Sequence, residues 1–164
     1  MKRRTALYGL LVALAFVFSY LESFIPVPLP VPGIKLGLAN LVVVAALYLL
    51  RPGEALAIGC LRILLVGLTF GSPATMLYSL SGGLLSFGMM VLCRRSGRFS
   101  VAGVSMAGGV SHNIGQLAAA AALTATPQLV WYLPVLLFSG LATGLLIGLA
   151  ARLVLPPLRR LPLG

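Results

Sequence analysis

The distribution of charge is the feature that most constrains this chain. Apolar stretches of membrane-spanning character recur from Thr5 to Val154, and the charged residues lie almost entirely between them. An alternating topology places ten of the twelve Lys and Arg residues on one side of the membrane: Lys2, Arg3, Arg4, Arg51, Arg94, Arg95, Arg98, Arg152, Arg159 and Arg160. Because cytoplasmic loops retain Lys and Arg, this pattern predicts a multi-pass protein of the cell membrane with both termini in the cytoplasm.

The composition agrees with a lipid environment. Hydrophobic residues make up 60% of the chain and charged residues 9%, whereas soluble domains carry about 25% charged residues. We therefore expect one integral membrane domain over residues 1–164, with the lipid bilayer as its solvent. The net charge of +10 indicates topology and not nucleic-acid binding, because the basic residues do not gather on a soluble face.

The apolar stretches predict an all-α bundle of about six transmembrane helices, over residues 5–24, 34–50, 54–70, 73–93, 101–124 and 130–154. Five spans would leave one basic cluster on the outer side, so six is the better count. Alternating prolines after the first span predict an extended, stiff and apolar loop over residues 25–33. Such a loop acts either as a lid on the bundle or as an interfacial connector.

The scarcity of acidic residues excludes several chemistries. The chain has no Asp, and its two acids are Glu22 and Glu54. Aspartate-rich magnesium sites, paired-carboxylate hydrolysis and Walker-type ATP hydrolysis all need more acids than this. His112 has no Cys or acid at ligand spacing beside it, which argues against a metal site. We therefore predict no catalytic residue, no metal and no cofactor in this chain, and no enzyme activity of its own.

Arg62 is the sharpest anomaly because it lies near the middle of the third span. A buried Arg costs about 2.5–3.5 kcal/mol on insertion scales, and it needs a partner or an aqueous cavity. One interpretation is a site for an anionic or carbonyl group of a ligand. The other is a structural ion pair or a clamp on backbone carbonyls.

The fifth span carries the densest polar face. Its polar and small residues recur every three or four positions, so they share one side of a helix: Ser105, Gly109, His112, Asn113 and Gln116. This face indicates either a site for a polar ligand or hydrogen bonds between helices. Further candidates are Asn40 in the second span, and Tyr78 and Ser81 beside the pair Gly82–Gly83 in the fourth. The glycine pair admits a ligand or a close helix neighbour. We also expect Glu22 to pair with Lys35 across the proline loop.

Two stripes of small residues predict helix docking, since such stripes let backbones approach closely. Gly140, Gly144 and Gly148 repeat at intervals of four on the sixth span, and we expect them to pack within the bundle. On the first span, Gly9 and Ala13 form a similar stripe after Thr5. That stripe packs either within the bundle or on another membrane protein.

Several segments resemble a known family of small membrane proteins. They include Pro32-Gly33-Ile34-Lys35-Leu36-Gly37-Leu38-Ala39-Asn40, Leu61-Arg62-Ile63-Leu64-Leu65, Tyr78-Ser79-Leu80-Ser81-Gly82-Gly83 and His112-Asn113-Ile114-Gly115-Gln116. The family is heptaprenyl diphosphate synthase component I, also called Gx-type transporters, and the resemblance covers nearly the whole chain. The family is similar in size and topology to the substrate-binding S components of energy-coupling-factor importers.

The resemblance implies one of two functions. As an S-component-like protein, the chain would bind a small-molecule substrate with Asn40, Arg62, Tyr78, Ser81, His112, Asn113 and Gln116, and it would need an energy-coupling membrane protein and ATPases as partners. The stripe Gly9-x-x-x-Ala13 departs from the A-x-x-x-A docking stripe of those components. Alternatively, the chain is a non-catalytic membrane accessory subunit of heptaprenyl diphosphate synthase, in isoprenoid or quinone synthesis, and recruits a soluble prenyl diphosphate synthase subunit. Without Asp it lacks the motif that holds magnesium on a diphosphate.

Overall fold

A computed structural model describes residues 2–24 and 37–160 of the chain. These residues contain no strand, and helices make up 90% of the structure, which confirms the prediction of an all-α bundle. The six α-helices are α1 (Lys2–Ser23), α2 (Leu38–Leu49), α3 (Pro52–Thr69), α4 (Pro73–Ser96), α5 (Val101–Thr124) and α6 (Leu133–Arg159), and a 3-10 helix covers Pro127–Tyr132.

Most helix boundaries lie close to the apolar stretches that predict them, because short turns with Pro, Ser or Gly separate the helices. Ser72 caps α4 by accepting a hydrogen bond from the Thr75 N–H, and Pro73 occupies the first turn. The largest difference is at α6, which continues five residues beyond the predicted end and contains Pro156 and Pro157. Both prolines lie near the helix end, where a fixed φ near −65° is compatible with helical geometry. The predicted proline loop and the first residues of the second span lie outside the described residues.

Four helical segments are long and apolar enough to cross a membrane: Arg4–Ser23, Pro52–Thr69, Pro73–Ser96 and Pro127–Arg159. The helix α2 is apolar but has only 12 residues. The helix α5 has the length, with 24 residues, but its polar face lowers its hydropathy. The described part of the chain is thus a helical membrane protein, and the crossing of the membrane by α2 and α5 stays a prediction.

The short helix α2 lies at the centre of the bundle. It contacts α1, α3 and α6, and seven of its residues are buried. At about 1.5 Å per residue it is about 18 Å long, against about 30 Å of hydrocarbon. If α2 crosses the membrane as predicted, at least one of its ends lies where water is scarce. At its carboxyl end, the Arg94 guanidinium donates to the Leu47 carbonyl and lies 5.1 Å from the centroid of the Tyr48 ring. A cation there also offsets the negative end of the helix dipole.

Glycines bring α5 and α6 into backbone contact. Gly140 faces Gly109, and a Cβ on Gly144 would lie 2.7 Å from the Cα atom of Met106. A Cβ on Gly148 would meet Ala102. The stripe on the sixth span therefore lies against α5, where the sequence predicts that it packs within the bundle.

The stripe on α1 has a different environment. A Cβ added to Gly9 would have no neighbouring atom within 4 Å, and both Gly9 and Ala13 are exposed. With Leu61 and Leu65 of α3 they line an open, largely apolar groove on the outside of the bundle. Docking of another membrane protein on this stripe stays a prediction.

We expect Gly144→Ala to destabilise the protein by about 1–3 kcal/mol, because the three atoms nearest to the added methyl group belong to the α5 backbone, which cannot move aside as a side chain can. Gly88→Ala is the matched control, since Gly88 lies inside α4 with nothing within 4 Å of an added Cβ. The measurement is the thermal unfolding midpoint in detergent. Equal midpoints for the two variants would contradict the close packing of α5 on α6.

Candidate functional site

A cavity of about 240 Å³ lies among the helices. Its walls come from α1, α3, α4 and α5, with contributions from the start of α2 and from α6. The polar side chains that line it are Ser19, Glu22, Ser23, Asn40, Arg62, Thr75, Ser79, His112, Asn113, Gln116 and Thr143. The cavity is therefore a polar site inside an otherwise apolar bundle.

Five of the seven predicted binding residues border this cavity: Asn40, Arg62, His112, Asn113 and Gln116. They come from three different helices, so only the fold brings them together. Their role in substrate binding stays a prediction.

Tyr78 and Ser81 are not among the residues that line the cavity. The helix α4 turns Thr75 and Ser79 toward it instead, and these two are four positions apart and share one side of the helix. Positions 78 and 81 lie on other sides of the same helix, and Ser81 is exposed. The sequence shows the polar content of α4 but not which of its sides faces the cavity.

The hydrogen-bond donors of Arg62 are only partly satisfied by the described residues. Its Nη1 donates to Ser19 Oγ over 3.3 Å, and Ser19 Oγ in turn donates to the Ala15 carbonyl over 3.0 Å. The Nε atom is buried and has no hydrogen-bond partner among the described residues. A buried donor without an acceptor costs about 1–3 kcal/mol, and more for a charged group. The guanidinium thus retains hydrogen-bonding capacity within the wall of the cavity.

Glu22 is the acid nearest to this site, and it is engaged by α2. Its Oε1 accepts hydrogen bonds from the backbone N–H of Gly37 and from that of Leu38, the latter over 2.9 Å. The carboxylate is buried, at 7% exposure, and acts on Arg62 as a nearby negative charge. Glu22 therefore caps the start of α2. The expected pair with Lys35 lies outside the described residues.

The polar face of α5 is partly structural. The Asn113 side chain donates from Nδ2 to the Leu136 carbonyl of α6 over 2.7 Å. Gly82 packs against the same helix, because a Cβ there would lie 2.6 Å from the His112 carbonyl oxygen. The sequence allowed the glycine pair in α4 to admit either a ligand or a close helix neighbour. At Gly82 the structure shows the close helix neighbour. Hydrogen bonds between helices therefore account for part of the face, while Gln116 and His112 also border the cavity.

Sequence reasoning missed Ser19, Ser23, Thr75, Ser79 and Thr143 as lining residues, and it assigned Glu22 a different partner. A signal for Ser19 and Glu22 exists in the first span, where they are three positions apart in an apolar helix and so share a face. Nothing comparable marks Thr143, because a lone Thr in a membrane helix commonly bonds its own backbone, as Thr143 does to the Ser139 carbonyl.

The site offers many hydrogen-bond donors and acceptors. It combines one guanidinium, one carboxylate, three amide side chains, an imidazole and several hydroxyls. Among the described residues there is no cluster of three or more His, Cys, Asp or Glu that could hold a metal ion. Such a set of groups is suited to holding a polar molecule in a fixed orientation.

The fold and the cavity together define a class, namely a helical membrane protein with a polar cavity inside its bundle. The family described as heptaprenyl diphosphate synthase component I matches residues 11–154, and the chain belongs to that family. No curated protein matches the chain, and no solved structure does so.

We expect Glu22→Ala to destabilise the protein by about 1–3 kcal/mol, because it leaves two backbone N–H groups at the start of α2 without an acceptor. Glu22→Gln should cost less, since its amide oxygen still accepts. The control is Glu54→Ala, which removes an exposed hydrogen bond to the Arg51 N–H and should lower the thermal midpoint less. A midpoint for Glu22→Ala at or above that of Glu54→Ala would contradict the capping role.

Proposed function

We propose that this chain is a membrane-embedded binding protein for a small polar molecule, of the type that serves an importer, with no catalytic activity of its own. The observation that carries this proposal is the polar cavity, in whose wall the buried Arg62 Nε has no partner among the described residues. A charged group inside a membrane bundle costs free energy. Binding of a ligand to that group would explain why the chain keeps it.

The position of the cavity supports entry from the outer face. Its lining includes Ser23 at the end of α1, Gly37 just before α2, and Phe70 and Gly71 just after α3. These ends are opposite to the ends that carry Arg4, Arg51 and the other clustered basic residues. If those basic ends are cytoplasmic, as the positive-inside rule predicts, the cavity lies toward the outside.

The same rule supports a location in the cell membrane with both termini in the cytoplasm. A reporter that is active only in the cytoplasm, fused after Gly164, tests this placement, and an inactive fusion would contradict it.

Import against a gradient would also need an energy source that the chain lacks, so the proposal includes a coupling membrane protein and ATPases. The groove beside Gly9 and Ala13 is the candidate surface for that coupling protein.

The family description favours a second candidate function. It names component I of a heptaprenyl diphosphate synthase, and on that basis the chain would be a non-catalytic membrane accessory subunit. Its partner would be a soluble prenyl diphosphate synthase subunit, recruited through the basic segment over residues 94–98, in which Arg95 and Arg98 are exposed. In this role the polar cavity would have a structural function only.

We expect wild-type protein, purified gently from its membrane, to carry a small molecule that mass spectrometry detects, and Arg62→Ala to lose most of it. Arg152→Ala is the matched control, because Arg152 is an exposed guanidinium at the other end of the bundle. Thermal unfolding of each variant shows that it is folded. A wild-type protein that carries no molecule and binds none from a concentrated cell extract would contradict the proposal.

Deletion of the chain separates the two candidate functions. The binding-protein proposal predicts unchanged heptaprenyl diphosphate formation in the deletion strain, together with a lost uptake of one small molecule. The accessory-subunit proposal predicts that the deletion strain loses prenyl transfer. Adding back the wild-type chain should restore this activity, and the Arg62→Ala variant should restore it equally well.

A further inference from the structure

The buried Nε of Arg62, which has no hydrogen-bond partner among the described residues, indicates which chemical group the cavity accepts. Within a guanidinium, the N–H of Nε and one N–H of Nη2 point in the same direction and form one edge. Nη1 and Nη2 form the second edge. The structure uses Nη1 for Ser19, while Nε is buried without a described partner. The Nε–Nη2 edge is a fork of two parallel N–H donors, which matches the two oxygens of a carboxylate.

The charge of the lining limits the ligand to about one negative charge. Arg62 and Glu22 are the Lys, Arg, Asp or Glu side chains among the described lining residues. Glu22 is engaged by the start of α2, where the helix end supplies roughly half a positive charge. The charges of these groups in the described lining therefore nearly cancel and leave it slightly positive, and one carboxylate makes it only slightly negative.

A diphosphate is a poor match for the same lining. It brings several negative charges at neutral pH, and the described lining residues hold one guanidinium to meet them. In surroundings of low dielectric the remaining charges would have no partner. The charge balance therefore disfavours the substrates and products of a prenyl diphosphate synthase as ligands of this cavity.

The size of the cavity and the residues of its wall indicate the size and the polarity of the ligand beyond its charged group. The volume of about 240 Å³ is just below the range of roughly 300–1,000 Å³ that holds drug-sized ligands. Ile63, Val66 and Phe70 give the wall on the α3 side an apolar surface, while Asn40 and Gln116 supply amides elsewhere in the lining. This combination fits a molecule of the size of benzoate or nicotinate, with an apolar body and one charged end.

Resting on the proposed binding function, we propose that the cavity binds a small monocarboxylate, whose carboxylate pairs with the Nε–Nη2 edge of Arg62 and whose body lies against the α3 wall. Glu22 tunes the charge of the site without touching the ligand carboxylate. The site thus binds ligands with one negative charge in preference to neutral ligands and to ligands with several negative charges.

A panel of small carboxylates and their primary amides tests the proposal on the full chain in detergent or nanodiscs. It includes benzoate with benzamide, nicotinate with nicotinamide, and the multiply charged probes pyrophosphate and geranyl diphosphate. Native mass spectrometry and the thermal midpoint report binding. We expect at least one carboxylate to bind ten times or more tightly than its amide and than either diphosphate probe. Arg62→Gln should abolish this preference, and Arg152→Ala should keep it.

Glu22→Gln provides the second variant, because it removes a negative charge near Arg62 but keeps an oxygen for the start of α2. We expect it to tighten carboxylate binding several-fold relative to amide binding. Binding of amides or diphosphates that equals or exceeds binding of every carboxylate would overturn the proposal. If such binding still depends on Arg62, the binding function stands and the charge assignment alone fails. If no probe of any class binds, the monocarboxylate proposal fails, and the co-purification experiment decides separately whether the binding function fails with it.

Discussion

The structure depends on the requirement that polar groups held away from water find partners, which the described residues meet at the ends of α2 but not at the Arg62 Nε. The short helix α2 imposes this requirement most strongly, because it lies at the centre of the bundle and is shorter than the hydrocarbon layer is thick. One charged side chain of complementary sign meets each of its ends, with Glu22 from α1 at the start and Arg94 from α4 at the finish. These two contacts tie α2 to the helices around it. They also engage the hydrogen-bonding oxygen of Glu22, the acid nearest to Arg62, so the contact that supports α2 also helps to leave the Arg62 Nε without a described partner.

The cavity arises because the two halves of the bundle are packed by different residues. The helices α4, α5 and α6 approach to backbone contact through glycines such as Gly82, Gly109 and Gly144. The helices α1 and α3 meet through larger side chains, including the aromatic pair Phe16 and Phe70, whose ring centroids are 5.7 Å apart. A polar space remains between the close-packed half and the α1–α3 pair. Arg62 of α3 and the amides of α5 both border this space. In membranes, where burial of apolar surface gives no driving force between helices, close contact of small residues is the main source of such packing.

Sequence reasoning predicted the helices well because hydrophobic length and turn residues are local signals. It also predicted the polar face of α5, since His112 and Gln116 repeat at helical spacing and both line the cavity. It did not predict that Glu22 contacts the start of α2, because that contact joins residues 15 and 16 positions apart across a loop. It also chose Tyr78 and Ser81 where α4 presents Thr75 and Ser79, since α4 carries polar groups on several sides and the sequence contains no information on its rotation. Long-range contacts and helix rotation are therefore what the structure adds.

Membership of the heptaprenyl diphosphate synthase component I family and the chemistry of the cavity point to different partners, and the state of Arg62 decides between them. The direct measurement is the side-chain Nε–H resonance of Arg62 in protein labelled with ¹⁵N-arginine, assigned by its loss in Arg62→Lys. We expect this resonance to shift, and its exchange with water to slow, as the bound molecule is titrated, because the Nε gains an acceptor. An unchanged Arg62 resonance at saturating ligand would show that the guanidinium is structural and would contradict the account.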